Sequence, residues 1–489
     1  MKTKRNITTA IVLQFVTILS GFILPKMIIS EFGSQVNGLV SSITQFLSFI
    51  SLLEGGIGAV VLSELYKPIE ERDTEKINGI LNSCKKFFFR LSVVFSIYTI
   101  VLLFVYPFII SDAKNFSFKY CSSLILILSI NTLMQYMFSI TYKLLLQADQ
   151  RVYIINILSI CTVILNLVFA IIIIKLYPSI HIVKLGASLA FVIQPVVYNL
   201  YIKKKYNYIC LKTDSDYQLK SRWDGFWQNL AHYINMNTDI IIISLFLSLN
   251  DVSVYSVYML ALNAIKQIIV MVNRSYQSNM GKYIASGNES ELKKHFAKFS
   301  NSIWVVSIIL FSTCLLLVNP FVEIYTKGVS DVVYYSPVFA AVIVLAQFVY
   351  CVREPYRFLI LSAGKFKETN FGSFMEALLN IVISLILIKP LGLAGVAIGT
   401  LVAIGYRFVY FYVFLKKEVL FIRCKQIICI IITSIIVFGI NYALYISGII
   451  SVKSYISFAI IGFIIFVAES IFSILLYYLL SLFFKRGDD

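Results

Sequence analysis

Residues 144–150 read LLLQADQ and residues 359–365 read LILSAGK, and the similarity of these two segments indicates how the chain is organised. Further along the chain, LNLV at 165–168 is matched by LNIV at 379–382. The first pair is offset by 215 residues and the second by 214, so one single-residue gap brings both pairs into register. The agreement indicates an internal duplication. The alternative is chance similarity between helices that are rich in Ile and Leu.

The composition places both copies in a membrane. The 489-residue chain is 59% hydrophobic and 14% charged, with a mean hydropathy of +0.84, whereas soluble chains are about 25% charged. Apolar runs of about twenty residues, the length of a transmembrane helix, recur throughout. The sequence therefore predicts an all-α polytopic membrane protein. The excess of 42 Lys and Arg over 25 Asp and Glu is explained by basic cytoplasmic loops, so no nucleic-acid partner is expected.

We predict about fourteen transmembrane helices, arranged as two parallel six-helix repeats followed by a C-terminal hairpin. Six spans separate the two copies, so both repeats enter the membrane in the same orientation. The predicted domains are an N-terminal lobe (1–205), a basic cytoplasmic linker (206–222), a C-terminal lobe (223–418) and a hairpin with a cytoplasmic tail (419–489). The predicted spans are 7–30, 36–64, 86–110, 119–146, 151–174, 182–203, 223–249, 252–281, 296–320, 334–361, 370–390, 393–415, 423–446 and 454–482.

The distribution of basic residues predicts the orientation of the chain in the membrane. An even number of spans puts both termini on one side, and most Lys and Arg residues fall in cytoplasmic connections if that side is the cytoplasm. This bias follows the positive-inside rule. The first apolar run, 7–29, is too long for a signal-peptide core and is predicted to remain as an uncleaved span.

Polar residues in spans 1, 2, 7 and 8 recur every three or four positions, so each series forms a stripe along one helix. Hydrocarbon penalises such groups unless they face protein or water, and two-repeat transporters bind substrate between their repeats. We therefore predict that these four helices line a polar cavity, with close packing by small residues as the alternative for span 2. The predicted substrate-binding residues are Lys26, Gln45, Glu54, Asn235, Asp239, Asn263, Lys266, Asn273, Arg274 and Gln277.

Several of the charges inside spans also have a structural interpretation. Asp239 and Lys266 lie at similar depth on adjacent spans, so a salt bridge between them is the simplest alternative to a binding role. Glu376 and Arg407 are expected to form a structural pair. The long side chain of Lys26 would allow its charge to reach the membrane surface.

Two further groups are left with two interpretations each. Arg353, Glu354 and Arg357 surround a proline in span 10, and they form either a cytoplasmic gate or an ordinary basic helix end. Tyr255 and Tyr258 are candidates for stacking on sugars, or they belong to the aromatic belt at the membrane surface.

Some classes of function are disfavoured by what the sequence lacks. It has no G-x-x-x-x-G-K-[ST] motif, so ATP hydrolysis is not expected, and span 1 has no acidic residue that could carry protons. The eight cysteines form no C-x-x-C pair and the three histidines are dispersed, so no metal or other cofactor is expected. Coupling of transport to a proton or sodium gradient stays open.

Three motifs resemble a known family. They are FGSQVNGL at 32–39, EGGIG at 54–58 and LQADQR at 146–151. They are similar to segments of the Wzx-type oligosaccharide repeat-unit flippases, the polysaccharide-transporter branch of the multidrug/oligosaccharidyl-lipid/polysaccharide exporter superfamily, whose members include the MATE exporters. The similarity covers the whole chain. It implies a V-shaped pair of six-helix lobes that alternate around a cationic cavity.

The resemblance also implies a function, which is not enzymatic. The expected substrate is an undecaprenyl-pyrophosphate-linked oligosaccharide, moved to the outer leaflet of a bacterial cytoplasmic membrane for O-antigen, capsule or exopolysaccharide synthesis. Arg274 and Lys266 would hold the pyrophosphate. The chain would act as a monomer among membrane lipids, with a polymerase and other polysaccharide-assembly proteins as partners. The alternatives are an ion-coupled multidrug exporter and, less favoured, a membrane glycosyltransferase or polymerase.

Overall fold

The computed structural model describes residues 2–54, 56–206, 208–209, 237–365, 367–418, 424–450 and 452–486, and these residues form helices and turns without a β-strand. The α-helices are α1 (Lys2–Ser48), α2 (Ser51–Glu54), α3 (Ile57–Glu71), α4 (Thr74–Ile109), α5 (Phe118–Met134), α6 (Ile140–Ala148), α7 (Val152–Leu176), α8 (Ile180–Lys205), α9 (Asn237–Phe246), α10 (Leu249–Ala285), α11 (Glu289–Tyr325), α12 (Pro337–Ser362), α13 (Asn370–Leu391), α14 (Leu393–Glu418), α15 (Cys424–Ser447) and α16 (Tyr455–Arg486).

Helix α1 contains two predicted spans. Its 47 residues extend for about 70 Å, twice the roughly 30 Å of bilayer hydrocarbon. A kink at Gly33, where φ is 82° and ψ is 169°, separates the two halves, and only glycine adopts such a conformation readily. Spans 1 and 2 are therefore joined by a kink within one helix.

The predicted extent of span 2 is wrong. It was expected to continue to residue 64, but α1 ends at Ser48 and the short helix α2 ends at Glu54. The next helix, α3, starts after Gly56, which caps it in the left-handed conformation with φ of 78°. Gly56 thus sets the start of α3 outside the span, because a left-handed position favours glycine.

The part of the chain that the structure describes contains twelve helices long and apolar enough to cross a membrane. One of these extends from Lys4 to Glu54 and contains predicted span 1 and the first part of predicted span 2. Predicted span 7 is described only in part, as the ten-residue helix α9, because residues 210–236 lie outside the described ranges. The chain is a multi-pass helical membrane protein.

The helices belong to two compact units. The N unit contains α1–α8 together with residues 248–253, the start of α10. The C unit contains α9, the remainder of α10 from Val254 onward, and α11–α16. The predicted linker, 206–222, lies largely outside the described residues.

The two turns that correspond in the duplication have the same backbone conformation. After α6, Gln150 adopts a φ of 56°, and after α12, Gly364 adopts a φ of 69°. In each turn the amide of the following residue donates to the carbonyl five positions earlier, at 2.7 Å and 3.1 Å respectively. These turns are 214 residues apart, so the expected one-residue gap between the copies is not needed. The gap came from matching side chains, whereas hydrogen bonds and the left-handed residue define the turn.

In the N unit, one carboxylate ties the start of α1 to the turn between α6 and α7. The Asp149 carboxylate lies 3.1 Å from Lys2 Nζ and 2.6 Å from Arg151 Nε, and it accepts a hydrogen bond from the Tyr206 hydroxyl. Partial burial acts to raise the pKa of Asp149, but the hydrogen bonds from Tyr206 and Lys2 and the charge of Arg151 outweigh it and lower the pKa below its usual value.

In the C unit, the terminal hairpin of α15 and α16 is held to α11 by polar contacts within an apolar interface. The Ser312 hydroxyl on α11 donates to the Glu469 carboxylate on α16 at 2.7 Å. Nearby, the Asn301 amide donates to the Tyr477 hydroxyl at 3.2 Å. Such bonds satisfy groups that hydrocarbon would leave without partners, and so they fix the hairpin on this unit.

Candidate functional site

A buried carboxylate lies inside the C unit. Asp239, on α9, is 5% exposed. Its carboxylate accepts hydrogen bonds from the hydroxyls of Tyr255 at 2.9 Å and Thr400 at 2.8 Å, and from the Asn380 amide at 3.4 Å. These donors are neutral, and no Lys or Arg nitrogen of the described residues forms a salt bridge with this carboxylate within 4.0 Å. Asp239 therefore accepts hydrogen bonds from neutral groups, and no basic residue in the described part of the chain forms a salt bridge with it.

Further polar groups contact the partners of this carboxylate. The Asn380 amide nitrogen lies 3.3 Å from the Thr400 hydroxyl. The Ser384 hydroxyl lies 3.5 Å from the Asn380 side-chain oxygen and 3.4 Å from the Val396 carbonyl. Carboxylate, hydroxyl, amide and carbonyl oxygens are the ligands that hard cations prefer. The cluster thus contains the kinds of oxygen ligand that a small cation prefers. A proton on Asp239 would also neutralise the carboxylate.

Close packing of α13 on α14 assembles this cluster. A β-carbon at Gly399 would overlap the Ser384 hydroxyl, and one at Gly395 would overlap the Leu387 carbonyl. Glycine at both positions allows the two helices to approach closely. The approach brings Asn380 on α13 within reach of Thr400 on α14.

The alternative of a salt bridge between Asp239 and Lys266 is wrong. Lys266, on α10, is half-buried, and its Nζ lies 5.1 Å from the ring centre of Tyr350 on α12. Within the described residues no carboxylate lies within 4.0 Å of this nitrogen. Neutral hydrogen-bond donors contact Asp239, and the ring of Tyr350 contacts Lys266. Lys266 is therefore a cation without a salt-bridge partner in the described part of the chain.

A chain of buried ion pairs begins at Arg353, whose guanidinium carbon lies 4.6 Å from the centre of the same Tyr350 ring. Arg353 pairs with Glu376, and the Arg407 Nε lies 3.5 Å from the same carboxylate. Arg353 also lies 3.5 Å from Glu354, which pairs with Arg357 at 2.9 Å. The expected Glu376–Arg407 pair is confirmed, but it belongs to a network of three arginines and two glutamates. Together with Lys266, these groups give this part of the C unit an excess of positive charge.

The proposed gate residues lie within this network. Glu354 is completely buried and Arg353 nearly so, while Arg357 is partly exposed. Helix α12 continues through Pro355 to Ser362. The interpretation of these residues as an ordinary basic helix end is therefore wrong, because charges at such an end would be solvated. Their role as a gate stays a prediction.

The N unit contains a half-buried acid with a hydroxyl partner. Glu54, at the end of α2, accepts a hydrogen bond of 3.4 Å from the Tyr136 hydroxyl. Tyr136 belongs to a single π-helical turn, Gln135–Ser139, between α5 and α6. The Lys143 Nζ lies 3.5 Å from the Gln135 side-chain oxygen. π-Helical turns are frequent at functional sites, and this one positions the partner of Glu54.

The remaining predicted binding residues differ in how far they are exposed. On α10, Asn273 is buried and bonds the Ile269 carbonyl of its own helix, whereas the adjacent Arg274 is exposed. The predicted polar stripe on this helix therefore contains both buried and exposed residues. Asn235 lies outside the described residues. The half-buried predicted residues are Lys26, Gln45, Asn263 and Gln277.

Both interpretations of Tyr255 and Tyr258 are wrong. Tyr255 is 6% exposed and bonds Asp239, and Tyr258 is fully buried. The Tyr258 hydroxyl donates to the Asn319 side chain at 2.8 Å. Because both hydroxyls are satisfied inside the C unit, neither ring is available to a sugar or to the membrane surface.

The sequence did not reveal most of the partners of the buried acids. Asn380 marked the duplication and was not assigned to a site, while Ser384 and Thr400 stand in apolar runs without a stripe. A signal for them was available, since isolated polar residues in a span need partners within the protein. For Tyr136 and Lys143 no periodic signal exists, because the π-helical turn shifts the register of the helix.

The comparisons with solved structures identify the fold. One structure described as "Lipid II flippase MurJ, inward closed conformation" matches with a TM-score of 0.66 and 15% identity, covering 98% of this chain and 99% of that chain. An inward-facing multidrug resistance MATE family transporter matches with a TM-score of 0.63 and 16% identity, covering 83% and 96%. The MATE multidrug transporter DinF-BH matches at 0.57 and 16%, covering 85% and 95%.

These matches define the class of fold, an all-α membrane architecture that a lipid flippase and multidrug transporters share. No family model matches the chain. No curated protein matches it either. At 14–18% identity to the structures compared, the likeness establishes the MurJ- and MATE-like fold and nothing finer.

Proposed function

We propose that this protein is a flippase for a polyprenyl-pyrophosphate-linked oligosaccharide, moved from the cytoplasmic to the outer leaflet by alternating access of two lobes. The observation that carries the proposal is on α10. Lys266 and the exposed Arg274 lie eight residues apart, about 12 Å along the helix, and neither forms a salt bridge among the described residues. Two such cations within a membrane suit an anionic head group.

The chemistry of the proposed substrate, with a polar head group and an apolar tail, supports this assignment. Pyrophosphate and sugars are too polar to cross hydrocarbon, and the polyprenyl tail is too apolar to leave it. A carrier must therefore offer cations and hydrogen-bond donors to the head group while the tail stays in lipid. The surplus positive charge of the C unit would meet the first requirement. The end-to-end match with a structure named as a lipid II flippase also supports the proposal.

We further propose that Asp239 is the site at which a coupling ion binds. It is a buried acid of the C unit without a salt-bridge partner in the described residues, and the hydroxyls of Tyr255 and Thr400 contact its carboxylate. A sodium ion or a proton would neutralise it and alter its bonds to α13 and α14. Binding at this position would couple an ion gradient to the packing of four helices, α9, α10, α13 and α14.

The test is translocation by reconstituted protein. Proteoliposomes with a fluorescent polyprenyl-pyrophosphate oligosaccharide in the inner leaflet would report its arrival outside through quenching by an impermeant reagent. We expect Lys266→Gln and Arg274→Gln each to reduce the rate at least tenfold, because each removes a charge-assisted contact of roughly 1.5–3 kcal/mol. Lys282→Gln, an exposed lysine on the same helix, is the matched control. Wild-type rates in both test variants would reject the assignment.

A multidrug exporter is the second candidate, because MATE structures share the fold. The same proteoliposomes, loaded with a cationic dye, would distinguish the two functions. Dye export that depends on an ion gradient, with no movement of the oligosaccharide lipid, would favour the exporter. A bacterial cytoplasmic membrane location, cytoplasmic termini, a monomeric state and contact with a polymerase belong to the flippase proposal and would be tested with it.

A further inference from the structure

A cavity of about 440 Å³ lies within the N unit, separate from the buried acids. It is bounded by α4, by the π-helical turn together with α6, and by α8. Its size falls in the range of pockets that hold small ligands. The lining residues that the argument uses are Lys85, Met137, Phe138, Tyr142, Val196 and Asn199.

Two irregularities of the helices create this space. The π-helical turn Gln135–Ser139 widens the helix between α5 and α6. Opposite, Pro195 interrupts the hydrogen bonds of α8 and lines the cavity. Both are fixed by the local sequence, so the cavity is built into the unit.

The cavity opens onto the apolar outer surface of the helices. Phe138 and Val196 line it and are 49% and 54% exposed. Phe89, one turn along α4 from Lys85, is 52% exposed. In a membrane protein such a surface faces acyl chains, so the opening is lateral, toward lipid.

A single cation lies at the rim. Lys85 is exposed, and among the described residues it forms no salt bridge. It lies eleven residues into α4, whose 36 residues extend for about 54 Å and so exceed the hydrocarbon thickness of about 30 Å. This places Lys85 near the membrane surface, on the side that the positive-inside rule assigns to the cytoplasm.

We propose that this cavity binds an acidic phospholipid of the cytoplasmic leaflet. The phosphodiester contacts Lys85, and the glycerol region bonds Asn199 and the Tyr142 hydroxyl, which already lie 3.4 Å apart. An acyl chain packs on Phe138 and Val196. Basic pockets between transmembrane helices on this side are typical sites for anionic head groups. One lysine matches the single charge of a phosphodiester, whereas a pyrophosphate needs more cations.

The site also connects to the interior of the N unit. Met137 and Phe138 line the cavity, and Tyr136 on the same π-helical turn bonds Glu54. A bound chain would favour one arrangement of this turn and so would hold the Tyr136 hydroxyl on Glu54. The lipid thereby acts as a regulatory ligand of the protein.

The experiment uses the full purified chain in detergent with phosphatidylglycerol and phosphatidylcholine, and it counts retained lipids by native mass spectrometry. We expect wild-type protein to retain phosphatidylglycerol preferentially. Lys85→Gln should reduce this retention about fivefold, the contribution of one lysine near an anionic surface. Lys86→Gln, the adjacent exposed residue that does not line the cavity, should not.

A second pair of variants tests the cavity itself. Val196→Trp would fill it and should reduce retention of both lipids, whereas Leu200→Trp on the same exposed face of α8 should not. Equal retention in Lys85→Gln and Lys86→Gln would overturn the proposal, even if Val196→Trp fails to fold. Displacement of phosphatidylglycerol by equimolar polyprenyl pyrophosphate would also overturn it, since the site would then take substrate.

Discussion

The Thr400 hydroxyl on α14 donates a 2.8 Å hydrogen bond to the Asp239 carboxylate on α9, joining residues 161 positions apart in the chain. Asn380 on α13 bonds both of them. With Tyr255 on α10 as a further donor, one carboxylate therefore connects four helices of the C unit. Any event that neutralises Asp239 changes the strength of all these bonds together, because a charged acceptor forms stronger hydrogen bonds than a neutral one.

Replacing Thr400 should show this dependence. Thr400→Val keeps the shape but removes a donor to a buried carboxylate, which costs about 1–3 kcal/mol. We expect a lower thermal unfolding midpoint in detergent, and transport that no longer responds to the ion gradient. Thr400→Ser retains the hydroxyl and is the control. If valine and serine behave alike in both measurements, the hydroxyl has no role at Asp239.

Removing an acid from the buried network should be costly. Glu376→Gln leaves Arg353 and Arg407 without the carboxylate they share, and breaking a buried ion pair costs about 3–5 kcal/mol. We expect a large decrease in the yield of folded protein or in its thermal midpoint. Glu289→Gln removes an exposed pair with Lys293 and should change stability by less than about 1 kcal/mol. Similar stability of the two variants would show that the network is not structural.

The close approach of α13 and α14 predicts a difference between two glycines on the same helix. Gly399→Ala would place a methyl group against the Ser384 hydroxyl, while Gly405 has open space around its α-carbon. We expect Gly399→Ala to destabilise the protein by about 1–3 kcal/mol through overpacking, and to weaken the Asn380–Thr400 contact. Gly405→Ala should be neutral or slightly stabilising. Thermal unfolding of the two variants measures the contrast.

Much of the fold was predictable because bilayer thickness sets the length of a span. Apolar runs identified the helices of both units, and the duplication related their turns to within one residue, since side chains match at an offset of 215 and the backbone at 214. The exceptions have local causes. The break after Glu54 depends on the left-handed conformation of Gly56, and the kink at Gly33 joins two spans without a loop. Glycine permits such conformations without requiring them, so hydropathy alone could not place these boundaries.

The site was less predictable, because a polar stripe identifies one face of a helix but not the residues on other helices that contact it. Lys266 and Asp239 lie at similar depth, and depth alone favoured a salt bridge. The structure pairs Asp239 with Thr400 and Asn380 instead, and it places Lys266 against Tyr350. The choice depends on how closely α13 and α14 pack, which Gly399 decides from a different part of the chain.

The Asp149 cluster predicts how stability depends on pH. The folded protein holds the pKa of Asp149 below its usual value of 3.8. The carboxylate therefore binds its proton less readily in the folded than in the unfolded chain, and its contribution to stability is complete above about pH 5. That contribution is lost as the pH falls from 3.8 through the lowered pKa. Asp149→Asn lacks the contribution at every pH.

Thermal midpoints of wild type and Asp149→Asn should therefore differ most near neutral pH and converge below pH 3.8. Glu70→Gln, which changes an exposed acid of α3, should follow the wild type across the range. Since Lys2 contacts the same carboxylate, protection of the first turn of α1 from hydrogen exchange should decrease in Asp149→Asn but not in Glu70→Gln. A constant difference in midpoint from pH 7 to pH 3 would show that the loss comes from packing and not from the charge of Asp149.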